Sequence, residues 1–155
     1  MAVERTLVMI KPDGVRRGLV GEVISRFEKK GLKLVGMKMM TLENAIVLEH
    51  YAHLVDKPFF EGVKKFMQST PVIAQCWEGV EAVSAVRIIT GITKARQAEA
   101  GSIRGDLSMG FQCNVIHASD SLETAKREIK RFFKEKELFD YDKTEYAHIY
   151  SEDEK

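Results

Sequence analysis

The chain is short of cysteine, proline, net charge and long apolar runs, and each shortage removes a class of protein. Its two cysteines, Cys76 and Cys113, stand far apart in 155 residues and form no C-x-x-C pattern. That excludes a disulfide framework and leads us to expect two buried free thiols in a reducing cytoplasm. A formal net charge of +1 argues against general attachment to nucleic acid or to a membrane surface. No apolar run approaches the roughly 20 residues that span a bilayer. The opening "MAVERTLVMIKPDG" has no signal-peptide layout, because Glu4 and Arg5 interrupt it. The expected location is therefore cytoplasmic. The usual phosphate cradles are missing as well: there is no G-x-x-x-x-G-K-[ST], and no G-x-G-x-x-G opening a helix. Any anion handled here must be met by scattered basic side chains. A hydrolase triad is equally unsupported. There is no G-x-S-x-G elbow, and His117, Ser119 and Asp120 lie too close together in sequence.

What is present is an alternation of strand-like and helix-like stretches, expected to form one domain over residues 1–155. "TLVMI" at 6–10 reads as a strand stopped by Pro12 and an Asp13-Gly14 turn. Val20, Val23, Ile24 and Phe27 mark one face of a helix that Gly31 ends. Residues 32–40 read as a strand with a glycine interruption, and 43–54 and 59–67 as helices. Residues 71–77 read as a strand, 80–89 as a helix, and "CNVIH" as a short last strand. Leu122, Ala125, Ile129, Phe132 and Phe133 then share a helical face. The polar stretch 90–112 has no clear period, and a loop that long in a compact domain usually has a task.

Within "NVIHASDS" (114–121), His117 sits where an apolar strand hands over to a helix. Asp120, with Glu123 three residues on, suggests an N-cap and a capping box. That would place the imidazole beside the positive end of a helix, a setting suited to phosphate. Imidazole is also a competent nucleophile near neutral pH, and Glu128 is placed to orient the ring from two turns into the helix. Lys11 interrupts the first strand at a loop mouth. Arg87, Thr93 and Arg104 lie at element ends or in the long loop. His50 and His53 are an i, i+3 pair, but no acidic or cysteine partner has metal-site spacing. The tripeptide Arg104-Gly105-Asp106 matches an adhesion motif by accident.

Ordered motifs along nearly the whole chain resemble the nucleoside diphosphate kinase family. They are "TLVMIKPDGVRRGLVGEVISRFE", "HYAHLVDKPFF", "STPVIAQCWEG", "SIRGD", "NVIHASDS" and "FDYDKTEYAHIY". The resemblance implies an α+β ferredoxin-like sandwich, a four-stranded antiparallel sheet with helices packed on it. Strand–helix alternation alone would equally suit a parallel sheet. It implies reversible, ping-pong transfer of a terminal phosphate from a nucleoside triphosphate to a nucleoside diphosphate, through a phosphohistidine at His117. By position, Lys11, Arg87 and Arg104 resemble the phosphate ligands, and Thr93 donates to the same group. Phe59 resembles the aromatic under the base, and Asn114 a side chain near sugar and phosphates. Tyr51 lies beside the catalytic centre, and Ser119 and Glu128 hold the histidine. Mg²⁺ is expected on the nucleotide phosphates rather than on protein ligands. The implied partners are nucleoside di- and triphosphates and further copies of the chain, as a hexamer or else a tetramer. The other class in view is a nucleotide- or nucleic-acid-binding relative with weak transfer activity. His117 and the complete ligand-like set argue against it.

The chain departs from the family in "TKARQAEAGSIRGD", which lacks the prolines usual there; Pro12, Pro58 and Pro71 are all it has. Strong helix formers fill 94–100, so a short helix is expected, with Thr93 as its cap.

Overall fold

A computed structural model describes residues 2–154. In chain order the strands are β1 (Val3–Ile10), β2 (Lys33–Met40), β3 (Val72–Val80) and β4 (Ile116–Ala118). The helices are α1 (Pro12–Arg16), α2 (Val20–Lys30), α3 (Asn44–His50), α4 (Phe60–Met67), α5 (Ala82–Thr90), α6 (Ile103–Leu107), α7 (Leu122–Phe132) and α8 (Tyr146–Ile149). Single 3₁₀ turns occur at Ala52–Leu54, Ala95–Gln97 and Glu135–Glu137. The sheet order is β2-β3-β1-β4, with every neighbouring pair antiparallel. This is the ferredoxin-like α+β sandwich the motifs implied.

Side chains of β1 alternate between two cores, which explains why "TLVMI" is apolar without a break. Leu7 and Met9 join Val47 of α3, Phe60 and Met67 of α4, and Ile129 and Phe132 of α7 on one face. Val8 and Ile10 join Val23 and Phe27 of α2, Ala82 and Val86 of α5, and Ile103 on the other. Gly31 ends α2 with φ 102°, a left-handed cap that glycine adopts without strain. β2 shifts register between Leu34 and Gly36, where its glycine interruption fell.

Several expectations are corrected. The Pro12-Asp13-Gly14 signal opens α1, with proline in its first turn, instead of making a turn. The last strand begins at Ile116; Val115 has φ 70°, outside strand geometry. The cap of α7 is Ser121, whose Oγ accepts from Thr124 N, not Asp120. The buried stripe of Ala125, Ile129 and Phe132 sets the helix start at Leu122, so the cap must fall one residue later and Glu123 cannot close a capping box. Residues 94–100 form only the turn Ala95–Gln97, with Lys94 at its cap position and no side-chain cap bond, so Thr93 caps nothing. The long loop also contains α6, capped by Ser102 accepting from Gly105 N. Cys76 is buried but Cys113 is exposed, contrary to the expectation for both thiols; neither is in a disulfide.

Candidate active site

β4 is three residues long, yet it decides where the chemistry sits. His117 pairs with Met9 of β1. Paired residues share a face of the sheet, so the imidazole emerges on the α3–α4–α7 side. α7 brings Glu128 to it, and α3 ends there at His50. Glu128 Oε2 and Oε1 stand 2.9 and 3.1 Å from His117 Nε2. Ser119 Oγ donates to Glu128 Oε2 at 2.6 Å. Ser119 therefore acts on the ring through the carboxylate, one step further back than expected. Burial alone would raise the Glu128 pKa; the His117 and Ser119 hydrogen bonds and the ring's charge overcome it and bring it down to about 2. An ionised carboxylate only accepts, so the neutral His117 ring that it fits has its proton on Nε2 and its lone pair on Nδ1. Among the described residues, Nδ1 takes no hydrogen bond.

The ring opens into a cavity of about 660 Å³ lined by Lys11, Tyr51, Arg87, Thr93, Arg104, Asn114, His117 and Glu128, among others. Eight of the expected site residues thus meet at one place. Phe59 does not line it; it lies just before α4, 54% exposed. A larger cavity, about 800 Å³, opens elsewhere between the start of β1 and α7, lined by Val3, Leu122, Ile129 and Phe133 among others. Its Arg5 is paired with Glu78 at 2.7 Å, and its lining holds no histidine, so the expected site residues converge on the smaller space.

Two of the cations, Lys11 and Arg104, have fixed seats. Lys11 follows β1, and its Nζ donates to Asn114 Oδ1 at 2.7 Å and Gln112 O at 3.3 Å. Asn114 is fully buried, and its Nδ2 donates to Thr93 O at 2.9 Å. It therefore ties the lysine to the long loop. Arg104 donates to three backbone carbonyls: Gly91 at 2.9 Å, Asn114 at 3.3 Å and Ile116 at 2.5 Å. A guanidinium has five N–H groups, so two remain for the cavity. This burial also rules out Arg104-Gly105-Asp106 as a displayed tripeptide. The cations oppose one another. Burial, then Arg104, lowers the Lys11 pKa to about 8; burial, then Arg87, lowers Arg104 to about 10. Crowded, partly desolvated positive charge of this kind favours a polyanion. Tyr51 packs edge-on to His50 at 4.8 Å, and burial, helped by Glu128, holds its hydroxyl protonated well above the usual range.

Three contributors were not singled out from the sequence as part of the site. Asp13 Oδ2 accepts from Val115 N at 2.8 Å, while Lys11 N donates to Val115 O at 2.8 Å. These two bonds hold Val115 in a left-handed conformation that a β-branched residue adopts only under constraint, at a cost of about 1–3 kcal/mol. Gly14 makes room for it: a Cβ there would lie 2.9 Å from Val115 O and 2.8 Å from Ile10 Cγ2. Gly14→Ala should therefore lose about 1–3 kcal/mol of stability and disturb the backbone two residues before His117. Denaturant midpoints and turnover measured together check this; an unchanged midpoint contradicts it. Arg131 is the third, and it meets His50, which the sequence brought forward only as a metal-ligand candidate. His50, His117 and Glu128 place ligand-type atoms within 4.8 Å of one another. Arg131 already donates to His50 Nδ1 at 3.0 Å, and a cation on that lone pair opposes a metal there. His53, the other half of the i, i+3 pair, is exposed and outside the cluster.

Comparison with known proteins points to one family. Residues 4–138 match the family model described as nucleoside diphosphate kinase. A nucleoside diphosphate kinase of Parabacteroides distasonis is 55% identical, over 98% of this chain and 99% of its own length. Human nucleoside diphosphate kinase A is 49% identical over 89% of this chain and 91% of its own. A halophilic nucleoside diphosphate kinase from Halobacterium salinarum, solved in complex with CDP, superposes with a TM-score of 0.94 at 46% identity. That match covers 97% of this chain and 100% of the other.

Proposed function

Given that the chain belongs to the nucleoside diphosphate kinase family, we propose that it carries the transferred phosphoryl group on His117 Nδ1. The chain is a nucleoside diphosphate kinase, a phosphotransferase of nucleotide metabolism. The observation that carries the phosphohistidine step is the pairing of His117 Nε2 with Glu128 at 2.9 Å. It leaves Nδ1 on a cavity lined by Lys11, Arg87 and Arg104, with Arg127 and Arg131 also in the lining. The terminal phosphorus of a bound triphosphate is attacked by the Nδ1 lone pair. The bond to the bridging oxygen breaks, and a diphosphate leaves. A second diphosphate then takes the group by the reverse step. Lys11 and Arg104 gather the charge that moves on to the phosphate oxygens. Arg87 and Thr93 extend the contact, and Tyr51 and Ser119 keep the ring–carboxylate pair in place. Asn114 holds Lys11 from beneath. Initial-rate kinetics test the scheme: parallel double-reciprocal lines are expected, whereas intersecting lines would mean direct transfer between two bound nucleotides.

Family members work with a divalent metal, and we assign that role to Mg²⁺. The lining supplies no carboxylate cage: Glu128 is engaged by His117 and Ser119, and Glu49 pairs with Arg131 at 3.1 Å. That set suits a cation that keeps much of its water and arrives on phosphate oxygens. Exposed Asp120 at the cavity edge is the carboxylate open to its hydration shell. When bound, the metal neutralises phosphate charge.

The exposed Phe59 ring is assigned to the base on the motif resemblance alone. Phe59→Ala should weaken nucleotide binding by roughly 1–3 kcal/mol, alike for purines and pyrimidines, because every base has a π-face. Titration of four nucleoside diphosphates checks this; loss confined to one base contradicts it. The chain is read as one domain, since both cores share one sheet, and as a homo-oligomer, hexameric or tetrameric. Exposed Met37, Met39, Ile88, Met109, Phe111 and Phe139 support assembly, and light scattering tests it. Unpaired Cys76 and Cys113 suit the cytoplasm. Among the described residues, no helix is long and apolar enough to cross a membrane.

A further inference from the structure

His50 is a buried imidazole at the end of α3, enclosed by three rings in edge-on contact. His117 lies at 4.7 Å, Tyr51 at 4.8 Å and Phe132 at 5.2 Å, with interplanar angles of 79–81°. The transfer chemistry makes no use of it, yet it touches the ring that carries that chemistry. The charged and titratable groups around it come from every neighbouring element. Glu49 and Tyr51 flank it, and His53 lies in the 3₁₀ turn that follows. His117 faces it from β4, and Glu128 and Arg131 from α7. Its Nδ1 stands 3.7 Å from Glu128 Oε1 and 3.0 Å from Arg131 Nη1.

Two of these contacts compete. A proton on His50 Nδ1 would point at Glu128 and draw the carboxylate away from His117. A guanidinium has no acceptor and stays protonated, so its hydrogen bond to Nδ1 requires a lone pair there. Arg131 also forms an ion pair with Glu49, its Nε 3.1 Å from Oε1 but not hydrogen-bonded to it. We propose that Arg131 is a positioning residue: it holds His50 neutral with its proton on Nε2, so that Glu128 serves only one ring, that of His117. Burial first, then His117, push the His50 pKa down to about 3 against the upward pull of Glu128, and Arg131 adds to the lowering. The pair stands 81 residues apart in sequence, and its effect reaches the reaction through the orientation of His117.

The inference rests on His117 as the phosphoryl carrier, and its first test does not. In the full chain at neutral pH, ¹⁵N NMR should find His50 Nδ1 without a proton. In Arg131→Met it should shift toward the protonated form, and in Arg131→Lys, which keeps a donor, it should stay. Arg131→Met should lower kcat about tenfold, the loss expected when one charge-assisted hydrogen bond is weakened. KM should change little. In a His50→Phe background, where no proton can compete, the same substitution should have no further effect on kcat. A protonated His50 Nδ1 in the unmodified chain overturns the proposal. So does an equal kcat loss in both backgrounds, or no loss in either. Failure of the phosphohistidine assignment shows separately, as transfer that survives in His117→Ala. If Arg131→Met does not fold, the tautomer of the unmodified chain and of Arg131→Lys still decides the matter.

Discussion

Transfer from ATP to a nucleoside diphosphate should fall by on the order of 10⁴-fold or more in His117→Ala, as it does when an enzyme loses its only nucleophile. The variant should fold. His117 is partly exposed on a three-residue edge strand, and the neighbouring backbone is held by Arg104, Asp13 and Lys11 rather than by the ring. Nucleotide affinity should stay within a few-fold, because Lys11, Arg87 and Arg104 remain in the cavity lining. Glu128 would lose its main partner and keep Ser119, so its pKa should rise from about 2. Turnover within tenfold of the parent would mean direct transfer between nucleotides, with the imidazole as a bystander.

Lys11→Ala should lower kcat by about 10²–10³-fold, with a much smaller rise in KM, since its charge counts most as negative charge moves on to the leaving oxygen. Lys11 is also the cation whose charge is easiest to lose. Burial, then Arg104, lowers its pKa to about 8 in the free enzyme. It is ammonium below that value and neutral above it. Since kcat/KM reports free-enzyme groups, it should decline as pH rises past about 8. Arg104, lowered only to about 10, keeps its guanidinium charge across that range. Lys11→Arg should push the alkaline decline to higher pH while lowering the plateau, because the Asn114 contact at 2.7 Å is fitted to an ammonium. A flat profile to pH 9.5 in the parent chain, or an affinity loss larger than the turnover loss, would reverse the roles given to Lys11.

The elements that were legible in sequence are those whose burial is periodic. β1 was readable because both of its faces are covered, and α2 and α7 because one face of each is. The strand order was not readable from period, since alternating strands and helices fit a parallel sheet equally well; the motif resemblance supplied it. Errors cluster where a local preference was overruled by something distant. Asp120 is as good a cap as Ser121, but the core stripe of α7 selects the later residue. Valine argues for a strand at 115, yet Asp13, about a hundred positions earlier, bonds its N–H and holds φ at 70°. Helix formers at 94–100 give only one 3₁₀ turn, too short to overcome helix nucleation.

Which residues meet around the candidate site was legible, apart from Phe59 and Ser119, and its wiring was not. Lys11, Arg87, Arg104, His117 and Glu128, expected by position, line one cavity. That Arg104 also clamps the Asn114 and Ile116 carbonyls at the start of β4, and that Asn114 seats Lys11, depends on contacts that folding creates. Nothing near residue 131 in the sequence points to residue 50, so the Arg131–His50 pair could only be seen in three dimensions.

The most direct measurement is the acid and alkali stability of the phosphoenzyme. The chain is incubated with γ-labelled ATP and Mg²⁺, freed of nucleotide, and divided between acid and base. A phosphoramidate on His117 predicts label that is lost in acid, kept in alkali and absent from His117→Ala. Label that survives acid and persists in His117→Ala would contradict the account and move the phosphoryl group to Ser119 or Ser121.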